Sequence, residues 1–87
     1  MSTTIEHLTT KNVARLALEL ECYDSGRTSQ DVLRGASLDV TDRLDSPRNR
    51  VFETDEAQIA FCSLLRQYDL ENETAAIYAR LAQRQNL

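Results

Sequence analysis

Nucleophilic or metal chemistry would have to be built from very few side chains: His7, Cys22, Cys62 and Ser63 beside it. A metal ion needs several ligands at helical or turn spacing, and His7 has no second ligand near it in sequence. Cys22 and Cys62 stand apart, make no zinc spacing, and each lies in an apolar-rich segment. They read as buried free thiols of a cytosolic protein, not as a disulfide. Cys62 next to Ser63 on a helix reads as packing, not as a nucleophile. No Ser/His/Asp or Cys/His constellation and no Gly-rich phosphate loop is visible, and a chain this short leaves little room for a pocket. No catalytic, cofactor-binding or metal-ligating residue is assigned, and the chain reads as a non-enzyme. The side chains left to act are carboxylates, whose work is helix capping and electrostatic recognition.

Those carboxylates gather where helices start. Thr54 is an N-cap whose hydroxyl can accept an orphan backbone N–H, and Asp55 and Glu56 follow in the first turn, where the positive helix end favours them. Ala57, Phe61, Leu64, Leu65 and Tyr68 then form one apolar stripe of an amphipathic helix. That helix should stop near Gln67–Asp69, because Leu70-Glu71-Asn72-Glu73 restarts the N-terminal signal with Asn72 as the cap. Ile77 and Leu81 carry the second stripe, and Ala75, Ala76, Ala79 and Ala82 permit close approach. Leu70 belongs in the corner between the two helices. Tyr68 and Tyr78 sit at a stripe edge, where a tyrosine serves either as core or as contact surface. Residues 83–87 should fray.

Upstream, Met1 to Glu6 reads as a loose lead-in, with Ile5 and Leu8 able to dock. Thr9 or Thr10 can cap a first helix whose stripe is Val13, Leu16, Ala17 and Leu20, with Leu18 off it. That helix should end by Asp24-Ser25-Gly26, with Gly26 in the left-handed C′ position. Thr28 with Asp31 resembles a capping box and opens a short helix that Gly35 closes. Two helices joined by a short Gly-containing turn look like a helix-turn-helix. Leu38–Leu44 and Arg50–Glu53 then read as a short antiparallel hairpin around the turn residues Asp45-Ser46-Pro47-Arg48-Asn49. The competing reading puts Asp39–Leu44 in a helical turn. The expected organisation is a single small, mainly α domain. Residues 1–8 form a loose N-terminus, 9–36 a helix pair, 37–53 a β-hairpin wing and 54–87 a C-terminal helical hairpin.

Composition limits the partners. Fourteen acids against ten bases give a net charge of −4, and nine of those bases are Arg, with Lys11 the single Lys. Non-specific DNA affinity comes largely from cations displacing counterions, so this balance works against nucleic acid and suits a basic protein surface. There is no apolar run long enough to span a bilayer and no signal-peptide core, so the expected location is the cytoplasm.

The order of elements in the C-terminal half resembles a known pattern. Asn49-Arg50-Val51-Phe52-Glu53-Thr54-Asp55, then Leu64-Leu65-Arg66-Gln67-Tyr68-Asp69-Leu70, is similar to the winged-helix domain of the MerR superfamily. Leu70-Glu71-Asn72-Glu73-Thr74-Ala75-Ala76-Ile77, followed by Leu81, resembles the segment opening the last helix of the stand-alone MerR-like proteins called CbpM, the chaperone modulators. The resemblance implies a non-catalytic regulator that binds the J-domain of a DnaJ-type co-chaperone and inhibits it. The J-domain's binding helix is basic, and an acidic surface would complement it. Asp55, Glu56, Asp69, Glu71 and Glu73, with Tyr78, are the candidate partner-binding residues, as a monomer or a homodimer.

Two other readings stand beside this one. A DNA-binding MerR-like or excisionase-like regulator would use Arg48 and Arg50 of the wing, with Arg27, Arg34 and Lys11, on phosphates and Gln30 as a base reader. A small acidic phage-type inhibitor or antitoxin would mask a basic protein surface and share the physics of the modulator.

Overall fold

A computed structural model describes residues 8–46 and 50–85. The described chain is mainly helical: α1 (Thr10–Glu21), α2 (Gly26–Leu44), α3 (Asp55–Gln67) and α4 (Glu71–Gln85). The lead-in with Ile5 and His7, the turn residues Pro47, Arg48 and Asn49, and the terminal Asn86 and Leu87 lie outside the described residues.

The caps explain where the helices begin. The Thr9 hydroxyl accepts from the Asn12 N–H at 3.0 Å and opens α1. The Thr54 hydroxyl accepts from the Ala57 N–H at 3.2 Å and opens α3, with Asp55 and Glu56 in its first turn. α2 is capped by Ser25, whose hydroxyl accepts from the Thr28 N–H at 3.2 Å. Two sequence expectations are corrected here. Thr28 lies inside α2, with Asp31 paired to Arg34 at 3.1 Å. Gly26 opens α2 instead of closing α1, and no described glycine has a positive φ.

The larger correction concerns residues 37–44. Of the two readings of this stretch, the helical one holds: α2 runs unbroken through Gly35 to Leu44, and the described residues contain no strand. Its buried stripe is Ser29, Leu33, Ser37, Val40, Thr41 and Leu44, a period near 3.6 in which hydroxyl residues stand where apolar ones would be expected. Each buried hydroxyl finds a main-chain acceptor. Ser37 donates to the Arg34 carbonyl at 2.8 Å, Thr41 to Leu38 at 2.9 Å, and Ser29 across to Leu20 of α1 at 3.0 Å. Arg50–Glu53 is extended but pairs with the chain entering α1. The Leu8 N–H donates to the Val51 carbonyl at 2.7 Å and the Glu53 N–H to the Leu8 carbonyl at 2.9 Å, an isolated parallel bridge. This bridge starts α1 and α3 side by side.

One core joins the elements. Phe61, Leu65, Ile77, Leu33 and Leu20 are fully buried, with Val13, Val40, Leu44, Leu64 and Leu70 around them. Phe52 packs its ring on Phe61 at 6.0 Å between centroids. α2 and α4 run the same way. Arg34, midway along α2, pairs with Glu73 in the first turn of α4 at 3.4 Å, and Asp45 at the end of α2 pairs with Arg80 further along α4 at 3.0 Å. Arg84 donates to the Leu44 carbonyl at 3.2 Å and also to the Ser46 carbonyl, closing the C-terminus of α2 from α4. No helix among the described residues is long and apolar enough to cross a membrane.

Candidate functional site

The α3–α4 corner is built by a Schellman turn. The Leu70 N–H reaches the Leu65 carbonyl and the Asp69 N–H the Arg66 carbonyl, both at 3.0 Å, while Asp69 takes a left-handed φ of 61°. Buried Leu70 packs in the corner as its position in sequence suggests. From α2, the Gln30 amide donates to the Tyr68 carbonyl at 2.8 Å and satisfies an orphan acceptor at the end of α3. Asn72 lies within the first turn of α4 and not before it, because the helix begins at Glu71. The Thr74 hydroxyl turns inward onto the Leu70 carbonyl at 2.9 Å.

The candidate acidic residues fall into two groups. Asp69, Glu71 and Glu73 gather at the corner, where with Arg34, Leu70 and Asn72 they line an open depression. Asp55 and Glu56 sit at the other end of α3, roughly 18 Å away along a 13-residue helix. Within the first group Glu73 stands apart, since it is half-buried and held by Arg34. Asp55, Glu56, Asp69 and Glu71 are exposed and make no ion pair among the described residues.

Tyr78 lies on the outer flank between these ends. Its ring carries the Arg66 guanidinium at 5.7 Å. Burial pushes the Cys62 thiol up from its ordinary pKa, and the Tyr78 hydroxyl and Arg66 offset this only in part. The thiol therefore stays protonated and shielded at neutral pH. Cys22 is exposed, contrary to the expectation that both thiols are buried, because it caps α1 on the side away from the core.

One side chain on this flank escapes a search for core stripes: Ile59, which is 60% exposed. It lies two residues from both Ala57 and Phe61, or about 200° around the helix from the buried stripe. That phase is readable in the sequence and places Ile59 outward. It shares a face with Arg66, seven residues or about two turns on, and through the Arg66 stacking with Tyr78. Ala75, Ala79 and Ala82 of α4 are exposed beside Tyr78.

Among the described residues no three histidine, cysteine, aspartate or glutamate side chains converge as a metal site. The arrangement offers an apolar strip with carboxylates at both ends, a geometry suited to recognition. No protein family, curated protein or solved structure matches this chain.

Proposed function

We propose that this protein is a non-catalytic, cytoplasmic binding module that engages a basic protein surface, and that its partner is the J-domain of a DnaJ-type co-chaperone, which it inhibits. The observation that carries the binding reading is the set of exposed carboxylates Asp55, Glu56, Asp69 and Glu71, which make no ion pair among the described residues, on a chain of net charge −4. Such a surface steers a basic partner into contact and loses strength as salt screens it. The choice of partner rests on the resemblance of Leu70–Ile77 and the segments before it to the chaperone modulators.

The net charge of −4 favours a protein partner over DNA, and part of the cationic set is already engaged. Of the cations the DNA reading would use, Arg34 is paired with Asp31 and Glu73, whereas Lys11, Arg27 and Arg50 are exposed without an ion pair among the described residues. Arg43 and Arg80 are paired with carboxylates, and Arg84 closes the end of α2. A duplex-binding face needs such groups turned to phosphate.

Titration of the purified protein with the isolated J-domain from the same genome, at low and physiological salt, tests this. Saturable binding that weakens with salt, and weakens further in Glu71→Lys, is the expected result. No binding at either salt overturns the co-chaperone reading. Glu73 is unsuited to this test, since reversing it also breaks the Arg34 pair.

A further inference from the structure

We infer that the outer face of the α3–α4 hairpin is a docking site for a basic amphipathic helix, with Ile59 and Tyr78 as its two apolar anchors. This deepens the proposed function and rests on its binding reading; it assigns the surface and the shape of the partner.

Ile59 is 60% exposed and Tyr78 38%, and Arg66, about two turns after Ile59 on α3 and stacked on the Tyr78 ring, places both on one flank of the hairpin. Neither residue is needed there for the core, which Phe61, Leu65 and Ile77 already fill. The small side chains of Ala75, Ala79 and Ala82 keep the α4 side of the strip low, so another helix can approach closely. Two antiparallel helices side by side offer a channel one helix wide, the geometry of helix-in-groove recognition. Its length, set by the 13 residues of α3, fits a partner helix of about three to four turns.

Charge selects the occupant. Asp55 and Glu56 stand one turn before Ile59, and Asp69 and Glu71 close the opposite end. The Arg66 guanidinium between them lies on the Tyr78 ring. A second copy of this chain is disfavoured in either orientation, because acids at both ends would meet the same acids on the copy. A helix with cations at both ends and an apolar face between them meets the terminal acids and the two apolar anchors, while Arg66 keeps its place on the Tyr78 ring. Leu18 and Leu38, 66% and 60% exposed on α1 and α2, lie outside the hairpin and serve as controls.

The probe is a synthetic helical peptide of about four turns, with lysines at both ends and leucines along one face. It is titrated into the full-length 15N-labelled protein. Shift changes confined to the exposed positions of α3 and α4 are expected. Affinity should fall by about tenfold or more in Ile59→Ser and in Tyr78→Ala, as truncated anchors do, and hold in Leu18→Ser and Leu38→Ser. Shift changes centred on α1 or α2 overturn the proposal, as does unchanged binding by Ile59→Ser and Tyr78→Ala shown by circular dichroism to be folded. The J-domain titration separates the two ideas. Peptide binding at this face without J-domain binding supports the surface and removes the co-chaperone. J-domain binding indifferent to both anchor variants overturns the surface and keeps the co-chaperone.

Discussion

α3 and α2 both contribute a long buried face, but of opposite chemistry. α3 buries Ala57, Phe61, Cys62, Leu64 and Leu65, a stripe with no hydrogen-bonding hydroxyl or amide in it. α2 buries Ser29, Leu33, Ser37, Val40, Thr41 and Leu44, where half of the stripe carries a hydroxyl. The first face is held by transfer from water and close packing. The second sits close to its neighbours because its side chains are small, and it tolerates burial because each hydroxyl has a carbonyl to donate to. A helix can thus be recruited to a core by fit as well as by oiliness, provided that its polar atoms are satisfied.

Substitutions rank these contributions. Phe61→Ala should cost about 3–5 kcal/mol, since it empties the largest fully buried side chain. An 87-residue domain holds a total stability of about 4–13 kcal/mol, so this variant should melt far lower or fail to fold. A loss under about 1 kcal/mol in chemical denaturation would mean that the hairpin is not the centre of the core. Ser29→Ala is expected to cost about 1 kcal/mol, because its hydroxyl joins α2 to the Leu20 carbonyl of α1. Gly35→Ala should move the other way, stabilising by about 0.5–1 kcal/mol. Gly35 is helical and exposed, and a Cβ there meets nothing within 4 Å. Ser37→Ala should stay within about 0.5 kcal/mol of the parent, because its hydroxyl serves only its own helix. If Ser29→Ala and Ser37→Ala cost the same, the distinction between a hydroxyl that joins helices and one that satisfies itself fails.

This contrast also marks what was legible beforehand. The hairpin could be read because Phe61, Leu64, Leu65, Ile77 and Leu81 announce a helical period, and Thr54 announces its start. α2 could not, because Ser37 and Thr41 broke the apolar period that marks a helix, Gly35 imitated a stop, and Leu38 with Val40 imitated strand alternation. In the fold Val40 is buried and Leu38 faces out, as helical phase requires. The paired acids were legible as helix starts, but their division between the two ends of α3 needed the helix length and the corner. The tie between Glu73 and Arg34 crosses 39 positions of chain, and local pattern carries no trace of it. Ile59 was legible in principle, as an apolar residue in the wrong phase for the core.

The closures of the helix ends carry a consequence for how this molecule breathes. The last turn of α2 is held by Arg84 of α4, and the last turn of α3 by Gln30 of α2. Neither end can unwind against solvent alone without releasing a side chain of another helix. Fraying, ordinarily the cheapest local fluctuation, is here coupled to separation of α2 from α4 at the end of α2 and of α3 from α2 at the end of α3. Amide exchange at the end of α2 should therefore follow that of the α4 segment around Arg80 and Arg84 as a single cooperative opening.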